Sequence, residues 1–552
     1  MNHYYPIMEK KIKRYVKIPM RDGINLVGDI YFPDSPPPYS TIVFRTPYGR
    51  QDQRFRENAS FFSSNGYVFL NFDVRGRGDS DGEFIPYFNE GKDGYDMIEW
   101  VAGQEWSNGM VGSYGASYSA RIQWLTAIER PPHLKTMISI VSPSDPFVES
   151  PTGVQDPMHL SWRYLVSGRT YKDPTDINWD DIYRTIPIIN MPEKLGYDIP
   201  DWKEDMMHQT LDDYWKRICY QDKFNIIDIP VMHISGWYDD EQIGTFINFI
   251  GMRNNSRSEY SKENQMIIIG PWPHGVNKSQ KLGDIDFGPD AIINLPYIEL
   301  EWFRKHLDGK ENQMKRARLF IMGTNEWREF DDWPVHETEN IKFFLTSGGR
   351  ANSRFGDGKL ILNSDGIKIG EDSYIYDPEN PVPFITESTS AQIGGPDDYS
   401  PIERRDDVLV YTSEILEDDL TLLGDVRAIL YIKSDAPDTD FMGMLTDVWP
   451  NGYSQRLCDG MVRARYRKGM DKIVFLEDGV NEIKIDMWNT GHAFKKGHRI
   501  RVDITSSAFP KYSRNPNTDN SDIASETEYR KAKNSIVHDH KFQSRIETRI
   551  LR

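Results

Sequence analysis

Residues 109–119 read Gly-Met-Val-Gly-Ser-Tyr-Gly-Ala-Ser-Tyr-Ser, and an amphipathic run follows at 121–129. The residues at 110–114 predict a strand, and the run after the motif predicts a helix. Ser117 therefore stands at a strand-to-helix corner between small residues. Such a corner is a tight, strained turn that lifts a serine hydroxyl above the sheet and points the next backbone N–H at a forming oxyanion. The stretch predicts a nucleophilic serine.

Two further segments complete a catalytic pattern downstream of Ser117. Gly-Trp-Tyr-Asp ends at Asp239 and Gly-Pro-Trp-Pro-His ends at His274, each after a short apolar run. The chain order Ser, Asp, His is that of α/β-hydrolases. His274 would take and return the proton of the serine, and Asp239 would hold the imidazole tautomer. The sequence thus predicts a serine hydrolase, with Asp240 and, more weakly, Glu241 as rivals of Asp239.

The serine and its oxyanion donors have neighbouring alternatives. Ser113 is a second serine in the motif, but it falls in the middle of the predicted strand and lacks a glycine two positions before it. One expected oxyanion donor is the backbone N–H of Tyr118. The other is the hydroxyl of Tyr48, because Arg-Thr-Pro-Tyr at 45–48 follows a buried strand where hydrolases place this loop. A buried structural tyrosine is the alternative at Tyr48.

Four aromatic residues are candidates for a substrate pocket. Trp162 and Tyr164 lie in a predicted helical segment, and Trp237 and Trp272 stand beside the loops of Asp239 and His274. Each of the four is equally consistent with an ordinary core position. The acyl group that such a pocket would accept is not specified by these residues.

The apolar patterning divides the chain into three kinds of structure. Near-continuous apolar runs alternate with helical patterns up to residue 145 and again from 229 to 335, which predicts a mostly parallel sheet. Residues 146–228 have helical periodicity and predict a cap over the carboxyl edge of that sheet. From 336 to 552, runs of period two predict antiparallel strands in a jelly-roll β-sandwich. The predicted fold is an α/β-hydrolase with a helical cap insertion and a C-terminal jelly roll; its first core part is residues 1–145.

Composition excludes several classes of partner. The 552 residues carry 66 basic and 84 acidic side chains, a formal net charge of −18, so binding to nucleic acid or to anionic membranes is disfavoured. The start of the chain, Met-Asn-His-Tyr-Tyr-Pro-Ile-Met-Glu-Lys-Lys, lacks an apolar signal core, and no apolar run reaches membrane-spanning length. We therefore expect a cytoplasmic protein that does not associate with membranes.

No motif calls for a cofactor or a metal. Gly76–Gly82 is not a dinucleotide fingerprint and has no phosphate-binding lysine. Two cysteines stand far apart, without redox or metal spacing. His538-Asp-His540 offers two ligands without a third, so both histidines are expected on the solvated surface. We expect no cofactor and no metal.

The motifs resemble those of a known family. Thr46-Pro-Tyr48, Asp73-Val-Arg-Gly-Arg-Gly-Asp-Ser-Asp-Gly82, Gly115-Ala-Ser-Tyr-Ser-Ala120, Gly236-Trp-Tyr-Asp239 and Phe509-Pro-Lys-Tyr-Ser-Arg-Asn-Pro-Asn517 look like the family of cocaine esterase, α-amino-acid ester hydrolases, glutaryl acylases and X-prolyl dipeptidyl peptidases. The resemblance covers nearly the whole chain. It implies the catalytic and oxyanion residues named above and a jelly roll packed near the site. Ala120 replaces a glycine common in the family, which affects helix packing more than chemistry.

We expect acyl transfer from a small-molecule ester or amide to water through an acyl-enzyme. X-Pro dipeptidyl-peptidase activity is the alternative, less favoured because the recognition elements of the peptidases are not identified in this chain. A protein of another class, which would use the jelly roll for binding without catalysis, is a second alternative. A homo-oligomer is compatible with the sequence.

Overall fold

The computed structural model describes residues 11–552. The first ten residues lie outside the described residues. Most of the prediction about a signal peptide rests on them, and the predicted core segment 1–145 begins with them. The elements up to residue 330 are β1 Ile12–Pro19, β2 Asn25–Tyr31, β3 Tyr39–Thr46, α1 Gln53–Ser64, β4 Val68–Asp73, α2 Glu90–Ala102, β5 Ser107–Ala116, α3 Tyr118–Ile128, β6 Leu134–Ile140, α4 His159–Val166, α5 Trp179–Tyr183, α6 Met191–Leu195, α7 Pro200–Met207, α8 Asp213–Lys216, β7 Val231–Tyr238, α9 Gln242–Asn255, α10 Glu259–Glu263, β8 Gln265–Pro273, β9 Lys281–Leu282, β10 Ile285–Asp286, α11 Leu295–Asp308, β11 Ala317–Ile321 and β12 Glu326–Phe330.

A ten-stranded sheet forms the first part of the molecule, in the order β1-β2-β4-β3-β5-β6-β7-β8-β11-β12. The central pairs from β4 to β11 are parallel, and the two ends of the sheet are antiparallel. Every residue of β4 is buried, with Val68, Leu70 and Phe72 in the core on one face and Phe69 in the core on the other. The prediction of a mostly parallel sheet covered on both faces is confirmed.

The chain between β6 and β7 holds helices α4 to α8, and the structure describes no strand there. These helices bury their own core, which includes Trp179 and Trp202 together with Phe509 and Ile523 from the C-terminal part of the chain. The insertion is therefore packed against the C-terminal region through a shared apolar core.

A second, mostly antiparallel sheet of eleven strands follows. Its strands are β13 Thr338–Thr346, β14 Lys359–Ile361, β15 Gly370–Tyr376, β16 Leu409–Thr412, β17 Leu420–Ser434, β18 Asp440–Val448, β19 Ser454–Arg463, β20 Asn481–Phe494, β21 Arg499–Thr505, β22 Ala532–His538 and β23 Arg545–Leu551. They lie in the order β15-β22-β17-β23-β13-β14-β16-β21-β18-β19, with β20 paired to β17. Ile483, Ile485 and Met487 are buried, whereas Lys484 and Asp486 point to the other side, as the period of two predicts. We call β13 to β23 and their loops the C-terminal β region.

One expectation about this region is wrong. His538 is not on the surface: its side chain is fully buried, with Nε2 3.1 Å from the Asp372 carboxylate and Nδ1 2.7 Å from the Lys368 carbonyl oxygen. Both ring nitrogens of His538 have hydrogen-bond partners, which allows a histidine side chain to lie buried inside a sheet.

Cys219 and Cys458 are both free thiols in buried positions. Among residues 11–552, the helices are all too short or too polar to cross a bilayer.

Candidate active site

Ser117 lies at the corner between β5 and α3. Its backbone has φ 58° and ψ −128°, a conformation that a residue with a side chain adopts only under strain, and its N–H donates to the Ile140 carbonyl oxygen at 2.9 Å. A Cβ on Gly115 would lie 2.4 Å from the backbone oxygen of Ser119, so this turn requires glycine. The small residues that predicted the corner are therefore a steric requirement of it.

His274 and Asp239 follow the carboxyl ends of two neighbouring parallel strands, β8 and β7. The His274 Nδ1 lies 2.9 Å from Asp239 Oδ1. Asp239 is fully buried, and it also accepts hydrogen bonds from the Ser235 hydroxyl and the Glu241 backbone N–H. Asp240 Oδ1 is 3.7 Å from the same Nδ1, so the rival carboxylate adds charge while Asp239 makes the hydrogen bond.

The environment of His274 favours its protonated form. Burial by itself disfavours the imidazolium, but the hydrogen bond to Asp239 and the charges of Asp239 and Asp240 outweigh it and raise the pKa of His274 to about 9. Burial, with the nearby Asp239 charge, raises the pKa of Asp240 to about 6 although the imidazolium opposes the change. One carboxylate, Asp239, thus forms a hydrogen bond with the imidazole, and the charge of a second, Asp240, favours its protonated form.

Ser117 and His274 line the same cavity, which we call the catalytic cavity. Within the described part of the chain, no hydrogen bond joins the Ser117 hydroxyl to the His274 ring. In free enzymes this bond is often long and tightens only when substrate is bound. The two side chains line one cavity, without a hydrogen bond between them in the described structure.

The expected oxyanion donors lie beside Ser117. The Tyr48 hydroxyl accepts a hydrogen bond from Trp162 Nε1 at 3.1 Å. Burial raises the pKa of Tyr48, while hydrogen bonds with Trp162 and Ser117 oppose the change. The backbone N–H of Tyr118 belongs to the first turn of α3, where the N–H groups have no partner within the helix. Two donors of different kinds therefore adjoin the serine.

The side chain of Tyr118 holds the residue in place through hydrogen bonds and a ring contact. Its hydroxyl donates to Glu90 Oε1 at 2.8 Å and accepts from the Tyr87 N–H at 3.1 Å, and its ring stacks on the Tyr87 ring with 4.5 Å between centroids. These contacts fix the residue that follows Ser117, and with it the direction of the backbone N–H.

Three partly buried acidic side chains, Glu149, Asp240 and Glu241, line the catalytic cavity. Burial raises the pKa of Glu149 to about 7. Burial and the charges of Glu149 and Asp240 raise the pKa of Glu241 well above its usual range. The raised pKa values show that the surroundings do not favour ionisation of all three carboxyl groups, so a cation bound in the cavity would stabilise their ionised forms.

Asp239, Asp240 and His274 also bring three possible metal ligands within 4.8 Å of one another. Both oxygens of Asp239 and the Nδ1 of His274 are already used in the hydrogen bonds described above. A metal would have to displace those bonds, and the hydrogen-bonded arrangement fits catalysis by a histidine better than a metal centre.

Of the four predicted pocket residues, only Trp162 is among those that line the described catalytic cavity. Tyr164 lines a separate groove and packs edge-on against Tyr197. Trp237 is buried and donates to the Phe320 carbonyl oxygen, and Trp272 is buried and donates to the Ala291 carbonyl oxygen. These positions correct the expectation for the last three, because Tyr164 lies at a separate groove and the two indole rings lie in the protein core.

Other residues of the cavity were not singled out from the sequence. Glu149 belongs to the insertion, and Trp488, Lys511 and Tyr512 come from the C-terminal β region. Lys511 and Tyr512 stand inside the quoted run Phe509–Asn517, which was the available signal. Pattern alone does not show that this run reaches the sheet edge 400 residues upstream in the chain.

Comparison with known proteins shows the family of the chain. Residues 22–276 match the model of the X-Pro dipeptidyl-peptidase (S15 family), and residues 309–547 match the X-Pro dipeptidyl-peptidase C-terminal non-catalytic domain. Cocaine esterase of Rhodococcus sp. (strain MB1 Bresler) is 33% identical over 537 residues, which cover 91% of this chain and 92% of the relative. The chain belongs to the family of the S15 X-Pro dipeptidyl-peptidases and cocaine esterase. It is an enzyme of the S15 serine hydrolase class, with a catalytic N-terminal part and a C-terminal non-catalytic domain.

Solved structures show the same fold at lower identity. An aminopeptidase from a marine sediment archaeon, Thaumarchaeota archaeon, superposes with a TM-score of 0.85 at 24% identity and covers 100% of this chain and 99% of its own. An α-amino acid ester hydrolase superposes with a TM-score of 0.86 at 21% identity, over 99% of this chain and 98% of its own. Family membership in a hydrolase class argues against the binding protein without catalysis.

Proposed function

We propose that this S15 hydrolase cleaves an ester or amide through Ser117, His274 and Asp239. Ser117 Oγ attacks the carbonyl carbon while His274 Nε2 takes its proton, and the leaving group departs with that proton. Water then attacks the acyl-enzyme by the reverse of these proton transfers. The observation that carries the proposal is the 2.9 Å hydrogen bond between His274 and Asp239, in a cavity that also holds the strained Ser117.

The Tyr48 hydroxyl and the Tyr118 N–H would stabilise the oxyanion of the tetrahedral intermediate. The contact of Tyr48 with Ser117 and the position of Tyr118 at the start of α3 support this role. The residues around Tyr118 support it further, since they hold that peptide in one orientation.

We also propose the finer fold assignment. The parallel centre of the first sheet supports an α/β-hydrolase core over 1–145 and 229–335, with 146–228 as its cap. The antiparallel second sheet supports a jelly roll over 336–552. The loop between β12 and β13 contains the proposed boundary between residues 335 and 336.

The substrates we favour carry an ammonium group near the scissile carbonyl. The partly buried carboxyl groups of Glu149, Asp240 and Glu241 line the same cavity as Ser117, and their raised pKa values show that nearby cations do not offset the cost of ionising them. The names of two relatives, an aminopeptidase and an α-amino acid ester hydrolase, are consistent with this chemistry. X-Pro dipeptidyl-peptidase activity is the second candidate, because the matching family models are those of that enzyme.

The proposal is tested by labelling with a fluorophosphonate probe and by a panel of substrates. Wild-type enzyme is expected to be labelled on Ser117 and to hydrolyse p-nitrophenyl esters, with aminoacyl esters preferred over their des-amino analogues. The panel includes Xaa-Pro amides, and their preferred cleavage would favour the second candidate. Labelling at another serine, or hydrolysis that survives Ser117→Ala, would overturn the assignment.

A further inference from the structure

Tyr512 lines the catalytic cavity, and its buried hydroxyl is unpaired in the described structure. The residue is 2% exposed and lines the cavity, yet its hydroxyl has no hydrogen-bond partner in the described structure. A buried polar group without a partner destabilises a protein, so such a group calls for an explanation. In an enzyme cavity, the missing partner can be an atom of the substrate.

The protein holds this hydroxyl in a defined position. The Tyr512 backbone N–H donates to the Ala508 carbonyl oxygen at 3.1 Å, and Arg463 donates to the carbonyl oxygen of the next residue, Ser513, at 2.9 Å. The ring packs in an apolar cluster with Phe384. A side chain fixed on both sides presents its hydroxyl without a cost in conformational freedom when a ligand binds.

The hydroxyl is a donor. Burial, and after it the charges of Asp459 and Asp156, raise the pKa of Tyr512 well above its usual value, so the proton stays in place. Its natural partner is therefore an acceptor oxygen.

The charges around the cavity select the kind of oxygen. Asp156 lines it in addition to the three carboxyl groups described above. Two of the lining cations, Lys511 and Arg163, are paired with carboxylates of their own, Asp459 and Asp205. The third, Arg121, lies over the Tyr87 ring and is outnumbered by the lining carboxyl groups. An anionic oxygen would be repelled, whereas an uncharged carbonyl oxygen would not.

We propose that the Tyr512 hydroxyl donates a hydrogen bond to a second, uncharged carbonyl oxygen of the substrate, separate from the scissile one. Tyr512 is thus a specificity residue supplied by the C-terminal β region to a site on the first sheet. The inference rests on the proposed function, since it assumes that the substrate is cleaved at Ser117.

The test compares wild type and Tyr512→Phe on matched substrates. One set is p-nitrophenyl hexanoate with its 4-oxo and 5-oxo derivatives, and the other is 4-ethylphenyl and 4-acetylphenyl hexanoate, which carry the carbonyl in the leaving group. For at least one carbonyl substrate, the substitution should lower kcat/KM about tenfold more than for its methylene counterpart, the size expected of one neutral hydrogen bond. Its Tm should stay the same or rise, because an unpaired hydroxyl is removed.

Tyr399→Phe is the matched control. Tyr399 lies in the same apolar cluster, but its hydroxyl accepts the Ile385 N–H at 3.0 Å and the residue is not among those that line the cavity. This variant should lose stability without changing the order of substrates.

The possible failures are distinguishable. Equal losses on carbonyl and methylene substrates, or a fall in Tm without discrimination, would show that Tyr512 has only a structural partner and would overturn the inference alone. A wild-type enzyme that hydrolyses none of the esters would overturn the proposed function and this inference with it.

Discussion

The Nδ1 atom of His274 lies 2.9 Å from Oδ1 of Asp239, whose carboxylate is completely buried. Asp239 uses its remaining capacity on the Ser235 hydroxyl and the Glu241 N–H, so it cannot turn away from the ring without breaking those bonds. This geometry leaves Nε2 as the nitrogen available for proton transfer, which is the requirement for a general base in acyl transfer.

Ser117→Ala should lower kcat for ester hydrolysis by about 10⁴–10⁶, because the nucleophile is lost while binding and the oxyanion donors remain. Initial rates with p-nitrophenyl esters, together with circular dichroism, measure the effect. Ser119→Ala is the control, since this buried hydroxyl two residues away has no hydrogen-bond partner in the described structure. Equal losses in the two variants would contradict the assignment.

Asp239→Asn should lower kcat by about 10⁴, because an amide can hold the ring in the unproductive tautomer. Asp240→Asn should cost less than about tenfold near neutral pH, since Asp240 lies 3.7 Å from Nδ1 and does not make the hydrogen bond. Steady-state kinetics of both variants decide between the two carboxylates. A larger loss in the Asp240 variant would reverse their roles.

Tyr48→Phe should reduce kcat by about 10²–10³ with little change in KM, because the hydroxyl is expected to act on the oxyanion and not on the bound ester. Tyr164→Phe, at a position outside the catalytic cavity, should leave both constants unchanged. A Tyr48 variant that retains full kcat would return this residue to a structural role.

The pH dependence of kcat/KM should follow the raised pKa of His274. The general base must be neutral, and its pKa is about 9, so kcat/KM should rise with pH up to about 9 and fall about tenfold per unit below it. Asp240→Asn removes a charge that favours the imidazolium, so the same limb should move to lower pH. A pH–rate profile of the variant that coincides with that of wild type would exclude this electrostatic coupling.

Glu241→Gln should reduce the preference for aminoacyl esters over des-amino esters about tenfold, because it removes the carboxyl group that would ionise beside the proposed ammonium position. Its effect on des-amino esters should be small. Glu204→Gln, on the exposed side of α7, is the control. Equal effects on both kinds of ester would show that Glu241 does not bind the ammonium group.

Much of the fold and of the site was readable from local patterns. The small residues around Ser117 predicted the corner because the turn leaves no space for larger ones, and the apolar runs predicted parallel strands because both faces of the sheet are covered. The positions of Asp239 and His274 after such strands predict that the two side chains meet, and their atoms lie 2.9 Å apart. Tyr164, Trp237 and Trp272 lie outside the catalytic cavity. An aromatic residue beside a catalytic loop can point to the core as easily as to a cavity, as Trp237 and Trp272 do, and a residue of the helical insertion can line another groove, as Tyr164 does.

The sequence by itself determined the order and local conformation of the catalytic segments, because strand burial, turn sterics and helix starts depend on neighbouring residues. Only the tertiary structure decided which carboxylate contacts His274, that Glu149 and Glu241 meet in one cavity, and that Tyr512 reaches it from the C-terminal β region. These relationships depend on how loops that are distant in the chain pack against each other. The spacing of residues along the sequence does not determine the distance between such loops in the folded protein.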